Sequence, residues 1–347
     1  MDAGKVTIHD IAKILKIDSS TVSRALNDSP RVTQKTKDKI LAKAEELGYQ
    51  KNDLASNLRK NKTNTIGVIV PRISRHFFSS AIAGIEETAY KAGYNVIICQ
   101  SLEQLEREKN IVQTLLANRV EGVLASISME TKNYDHFIGL KNREIPFVFF
   151  DRHCDIPDTS TVLIDDFQAG FDATEHLIKK GCRVIAHFSG PSNLEIYKNR
   201  LAGYKAALSK HKLKLDERLV VYSRLMEQDG IDGIKTLMAL QLKIDGLFSA
   251  NDVAAIGAMQ HLKKLGIKVP NDIAVAGFSN ESISAVIDPS LTTINQSGFE
   301  IGQIATELLI SQIDSRDQEI KNQKIVVPVK LIERESSQKK KGHLFIN

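Results

Sequence analysis

Nine short apolar runs, set between residues 65 and 279 with amphipathic stretches separating them, constrain this 347-residue chain more than any other feature. They read TIGVIVP, NVIICQS, VEGVLAS, IPFVFFD, TVLIDD, RVIAHFSG, LVVYS, IDGLFSA and DIAVAGFS. The longest are strand-sized and fall short of a membrane span. Between them, segments such as FSSAIAGIEETAYKAG and EREKNIVQTLLAN carry helical periodicity. Strands alternating with helices over this length predict parallel sheets covered on both faces, in two consecutive units. Ligands of such folds bind beyond the carboxyl ends of the strands, and between two units that means a cleft.

The first sixty residues follow a different pattern. TIHDIAKILK opens with Thr7 as an N-cap and sets Ile8, Ile11, Ala12 and Leu15 at helical spacing. A turn at KID follows. The next helix, SSTVSRALN, has Ser19 and Ser20 as cap candidates and Val22 and Leu26 on its inner side. A third helix is capped by Thr33, packs Ile40, Leu41, Ala44 and Leu47, and stops at Gly48. Three short helices with a tight first turn make a helix-turn-helix module. The outward residues of the second helix are Ser19, Ser20, Thr21, Ser23 and Arg24; its serines and threonine are mediocre helix formers, where Glu and Lys would suit a merely solvated face. Hydroxyls suit phosphates and base edges, and an Arg can bond bidentately to guanine.

Charge supports the division. Residues 1 to 62 hold 13 Lys or Arg against 8 Asp or Glu, and the remainder holds 34 against 34, so the whole surplus of +5 lies in the first sixth of the chain. A small basic module on a balanced body is the footprint of a polyanion-binding head. The start lacks the apolar core and cleavage site of a secretory signal, so a cytoplasmic protein with no membrane partner is expected. Cys99, Cys154 and Cys182 suit neither a disulfide framework nor a zinc site. There is no G-x-G-x-x-G, P-loop, H-E-x-x-H or G-x-S-x-G, so no cofactor, metal or enzymatic activity is expected. Asp165 and Asp166 open a helix and read as capping groups.

Residues 6 to 52, VTIHDIAKILKIDSSTVSRALNDSPRVTQKTKDKILAKAEELGYQKN, closely resemble the DNA-binding head of the LacI/GalR family of bacterial transcription regulators. The T-x-x-D-[IV]-A start, the S-x-x-T-V-S-R-x-L-N second helix and the V-x-x-x-T-x-x-[KR]-[IV] third helix carry that likeness. It continues through ATEHLI, R-L-A-G-Y-x-x-A-L, A-N-D-x-x-A-x-G, V-P-N-D-I-A-V-A-G-F and P-S-L-T-T-I-x-Q. The resemblance implies a small all-α head on a periplasmic-binding-protein-like α/β body of two doubly wound parallel-sheet lobes. It assigns residues 1–50 to the head, 51–62 to a hinge helix and linker, and 63–347 to a two-lobed effector-binding and dimerisation core. Ser19, Ser20 and Arg24 would read bases, and Thr7, Thr21, Ser23, Asn27, Arg31 and Thr33 would anchor phosphates. In NDLASNLRKNK, Asn52 would begin the hinge helix, with Leu54 and Ala55 on its apolar face and Leu58 as the wedge entering the minor groove. Lys51, where relatives usually carry Pro, and the acid Asp53 depart from that pattern.

The strand-end loops supply the pocket residues. Phe77 and Phe78 follow the first strand, Asp151 and Arg152 follow PFVFF, Arg200 follows the SGPSNLEIYK loop, and Asn251 and Asp252 follow GLFSA. Aromatic faces with Asp, Asn and Arg suit a sugar. By resemblance Phe77, Phe78, Asp151, Arg200, Asn251 and Gln296 occupy effector-contacting positions. Ser279 stands where relatives carry Asp, which implies a pocket altered at that corner, for a different or anionic sugar derivative. A transport solute-binding protein would share the body but not the basic head. The function expected is a regulator, a repressor, that binds a near-palindromic double-stranded operator as a homodimer under the control of a sugar-like effector.

Overall fold

The computed structural model describes residues 6–49, 63–315 and 322–339. The chain divides into two compact units, Met1–Thr63 and Asn64–Asn347.

Among the described residues the first unit has three helices, α1 (Ile8–Leu15), α2 (Ser19–Leu26) and α3 (Gln34–Glu46). Thr7 starts α1 through a capping box, accepting from Asp10 N while its own backbone N–H donates to the Asp10 carboxylate. Lys16, at φ 52, turns the chain sharply into α2. The cap residue of α2 is Asp18, so Ser19 and Ser20 are the first helical residues rather than caps. Thr33 occupies the cap position of α3 but its hydroxyl pairs with Thr36 at 2.9 Å. Ile11, Val22 and Ile40 are fully buried, one from each helix, with Ala25 and Val32 beside them. Leu41 is 49% exposed, because on α3 it lies one step, about 100°, beyond the face that Ile40 turns inward. Gly48, at φ 64, takes the left-handed position that ends α3.

Among the described residues the second unit contains two six-stranded sheets. In chain order the elements are β1 (Thr65–Val70), α4 (His76–Lys91), β2 (Asn95–Gln100), α5 (Leu105–Ala117), β3 (Gly122–Ala125), α6 (Asp135–Lys141), β4 (Phe147–Phe150), β5 (Ser160–Ile164) and α7 (Asp166–Lys179). Then come β6 (Ile185–Ser189), α8 (Glu195–Lys210), β7 (Val220–Tyr222), α9 (Glu227–Ala239), β8 (Gly246–Ser249), α10 (Asp252–Lys264), β9 (Ala274–Phe278), β10 (Thr292–Asn295), α11 (Gly298–Asp314), β11 (Lys324–Val327) and β12 (Lys330–Ile332). All nine expected strands form.

The sheet orders are β11-β5-β4-β3-β1-β2 and β12-β10-β9-β8-β6-β7. Pairing is parallel except for β10 with β12. Alternate residues of β1 enter different apolar clusters, Ile66, Val68 and Val70 on one face and Ile69 on the other. Both faces are buried, which is why the runs read as continuously apolar.

The two lobes are not consecutive in sequence. After β10 the chain returns to the first lobe, where α11 packs on α4 and β11 pairs with β5 (Lys324 opposite Thr161), before β12 closes the second sheet. The return is driven by burial: Ile301, Ala305 and Leu309 are apolar and find cover only against the first sheet and α4. Three helix pairs cross at reciprocal glycines, Gly84 with Gly302, Gly170 with Gly203, and Gly230 with Gly257. A Cβ on any of these six would lie within 2.4 Å of a backbone oxygen of the opposite helix. The serines and lysines of SSQKKKGHLFIN, residues 336–347, predict a solvated end, but the described start of that segment is anchored. Ser336 and Ser337 are fully buried, with Ser336 Oγ donating to Val275 O and accepting from Thr292 N, and Ser337 Oγ 2.7 Å from His176 Nε2.

Candidate functional site

The strand order of each sheet reverses beside its first strand, between β1 and β3 and between β6 and β8. The carboxyl ends of the strands carry their loops to one cavity between the lobes. Eight of the nine residues expected to line a pocket meet there: Phe77, Phe78, Asp151, Arg152, Arg200, Asn251, Ser279 and Gln296. Phe77 and Phe78 open α4 and meet edge to face, with centroids 5.1 Å apart.

Asp252 does not join them. It is fully buried inside the second lobe, where its carboxylate accepts from Thr293 Oγ1 at 2.7 Å, Ser284 Oγ at 2.8 Å and Glu281 N at 2.8 Å. A side chain spent on three internal donors holds the 281–293 loop and offers the cavity nothing. Asn251, its neighbour, both borders the cavity and caps α10, accepting from Ala254 N at 2.9 Å while its amide donates to Leu225 O at 2.9 Å.

The charged groups are arranged as buried pairs. Arg200 Nε donates to Asp166 Oδ1 at 2.7 Å and Nη1 to Ala250 O at 2.9 Å, while its guanidinium lies 3.6 Å over the Phe278 ring. Burial pushes the Asp166 carboxyl up to about 6, against the pull of Arg200. Asp165 caps α7 through Gln168 N at 2.8 Å, so of the two adjacent acids read as caps one is a cap and the other a buried counter-ion. Arg152 Nη1 donates to both Glu103 oxygens, at 3.2 and 2.9 Å. Asp151, at φ 61 in a left-handed turn, is raised by burial and held down in part by Arg152 and Arg200. Ser279 Oγ donates to Gln296 Oε1 at 2.8 Å, leaving the Gln296 amide hydrogens available as donors.

Arg75, Glu103, Met129, Ile196, Tyr197, Arg224 and Glu281 also line the cavity and escaped the sequence reading. Tyr197 had a legible signal, standing one turn before Arg200 on α8. Arg75 did too, two residues before Phe77. Glu103 had none, since a strained turn after β2 carries it inward. Contacts close the lobes around the cavity: Asn193 Nδ2 donates to Met129 O at 2.6 Å, and Ser282 Oγ lies 3.1 Å from His76 Nδ1.

On the first unit, Thr7, Ser20, Arg24, Asn27, Arg31 and Thr33 are exposed and Ser19, Thr21 and Ser23 half-buried, so no member of that set is consumed by the core. Asn27 Nδ2 donates to Ser23 O at 2.8 Å, and buried Lys37 donates to Asp28 O at 3.2 Å, tying the loop after α2 to α3. The Thr7 hydroxyl donates to Asp10 Oδ2 at 2.7 Å. Asn52, Ala55 and Leu58 lie outside the described residues.

Two family models match the chain. One describes bacterial regulatory proteins of the lacI family and covers residues 7–52. The other describes periplasmic binding proteins and the sugar binding domain of the LacI family, over residues 63–335. The ribose operon repressor of Halalkalibacterium halodurans is 31% identical over 95% of this chain and 97% of its own. The lac repressor dimer bound to operator and the anti-inducer ONPF superposes with a TM-score of 0.84 at 26% identity, over 96% of this chain and 99% of that one. A periplasmic binding protein/LacI transcriptional regulator from Alkaliphilus metalliredigens, complexed with D-xylulofuranose, matches 79% of this chain and 99% of its own at 33% identity and a TM-score of 0.70.

Proposed function

The chain belongs to the LacI family of bacterial regulators, and from that membership we propose that it is a transcriptional repressor, not an enzyme, whose operator binding is set by a sugar or sugar derivative held between the two lobes. The observation that carries this is the convergence of eight side chains from both lobes on one cavity, in a chain that also bears a helix-turn-helix unit with a hydroxyl-rich outer face.

The head, residues 1–50, places α2 in the major groove. Ser19, Ser20 and Arg24 read base edges, while Thr7, Thr21, Ser23, Asn27, Arg31 and Thr33 hold phosphates. Residues 51–62 form the hinge, with Asn52 at its start, Ala55 on its apolar face and Leu58 as the minor-groove wedge. The core, residues 63–347, binds effector and pairs with a second copy, so that two heads read a near-palindromic operator. Val286 is 80% and Ile283 50% exposed, beside an apolar groove that includes Ile256, Met259 and Ile287, and this surface is offered to the partner copy. No helix of the described residues is long and apolar enough to cross a membrane, and a cytoplasmic location follows from a DNA target.

In the cavity the Phe77 and Phe78 faces take the C–H side of a sugar ring, and Asp151, Arg200, Asn251, Ser279 and Gln296 supply acceptors and donors for its hydroxyls. Ligand that binds one lobe separation better than another shifts the lobes, and effector and operator then alter each other's affinity by the same factor. The test is a titration of operator-like DNA with the full chain, with and without a panel of sugars and sugar acids. Sequence-selective binding that weakens steeply with salt and responds to one sugar class is expected. Absence of any salt-sensitive, sequence-selective binding would overturn the reading.

A further inference from the structure

Within the cavity, the ion pair between Glu103 and Arg152 is not accounted for by a sugar ring. Both side chains are enclosed, 10% and 8% exposed, and the carboxylate also accepts from Met129 N at 2.8 Å. Arg152 Nε is buried without a hydrogen-bond acceptor, with Asp151 Oδ2 3.7 Å away. Glu103 reaches this position on a turn in which Leu102 (φ 52) and Glu103 (φ 65) both adopt the left-handed region that residues other than glycine occupy at a cost. The chain spends backbone strain to hold one carboxylate on one guanidinium.

The space left is small. The cavity encloses about 60 Å³, whereas sites for small organic ligands run to roughly 300 Å³ or more. Entry of a ligand therefore displaces what fills the cavity as well as parting the lobes. Pulling Glu103 from Arg152 with nothing in return would strand a buried guanidinium. An incoming oxyanion avoids that, because it can take the place of the Glu103 carboxylate on Arg152 Nη1.

We propose that Glu103 is a built-in stand-in for an anionic group of the effector, which is a sugar carrying a carboxylate or phosphate that displaces Glu103 from Arg152. Glu103 then sets specificity twice. A neutral sugar cannot replace its charge, and an acidic one must outcompete it. The proposal rests on the effector reading of the cavity.

Glu103→Gln on the full chain removes the charge and nearly preserves the shape. At fixed ionic strength, thermal unfolding in titrations with inorganic phosphate should show tighter binding to E103Q than to the unaltered protein by tenfold or more, and the gain should vanish in E103Q/R152Q. In a panel of glucose, gluconate, glucuronate and glucose 6-phosphate, only the acids should bind, E103Q should bind them more tightly, and the carboxylate and phosphate arms identify the oxyanion. Equal phosphate binding by E103Q and the unaltered protein, or weaker acid-sugar binding by E103Q, would overturn the proposal. Glucose binding as tight as that of gluconate would overturn it while leaving the effector reading in place. A phosphate gain with no sugar bound by any variant would support the ion-pair role and count against the sugar reading alone.

Discussion

At the centre of the second lobe His187 is fully buried, its ring stacked between Tyr204 at 5.0 Å and Phe248 at 4.8 Å. Nδ1 donates to Phe248 O at 3.0 Å, and Nε2 has no partner. A proton on Nε2 would create a buried cation with an unsatisfied donor, so burial drives the imidazole down to about 3. The folded pKa is thus depressed below the ordinary value near 6.5. The unfolded chain binds more protons between those limits, so the stability His187 contributes is present above about 6.5 and is lost as pH falls toward 3. Between pH 6.5 and 5 the loss amounts to about 2 kcal/mol. Urea denaturation at both pH values should show a drop for the unaltered protein that is smaller by about that amount in His187→Phe; equal drops would mean that the folded chain accommodates the proton. Neighbouring residues can have opposite fates at this scale. Asn251 borders the cavity while Asp252 points into the lobe, because Asn251 is the extended cap residue of α10 and Asp252 its first helical residue, so the backbone changes direction between them. Their shared strand-end position was legible in the sequence, and the direction of each side chain was not.

The helices of the body owe their spacing to glycine. Gly84 of α4 faces Gly302 of α11, and a Cβ on Gly302 would stand 2.1 Å from Ala81 O, a backbone atom that cannot swing aside. The same reciprocal contact joins α7 to α8 and α9 to α10. Gly302→Ala should therefore destabilise the body by about 2 kcal/mol or more, even though alanine is the better helix former, because overpacking outweighs a propensity gain of about 1 kcal/mol. A shift of the urea midpoint in that direction checks it, and a stabilised variant would show that α11 can slide at no cost. Elements with a strong period were legible: the nine strands, the helices around Ala81 and Val112, and the three head helices. β11 and β12 were not, since KIVV and KLI are too short to show a period and owe their pairing to β5 and β10. Ser336 and Ser337 read as tail because nothing local reveals the Thr292 and Val275 groups that bury them.

Across the whole molecule, the proposed function couples a DNA-reading head to a ligand-binding body through residues 51–62. One such segment has too few apolar residues to hold a helix alone, and under the proposed hinge role two would cover Leu54, Ala55 and Leu58 against each other and the DNA. Leu58→Ala should then weaken specific operator binding at least tenfold and leave binding to random DNA within a fewfold, measured by fluorescence anisotropy at one salt concentration. Equal losses on both DNAs would remove the wedge. The sequence by itself determined the helix-turn-helix head, the alternating α/β body and the strand-end origin of the pocket, because periodicity, caps and charge act over a few residues. Only the tertiary structure decided that α11 and β11 return to the first lobe, that Asp252 turns away from the cavity, that Asp166 pairs with Arg200, and that Glu103 occupies Arg152. Those outcomes join residues up to a hundred or more positions apart, and which of them meet is set by burying apolar faces and pairing buried charges throughout the assembled body.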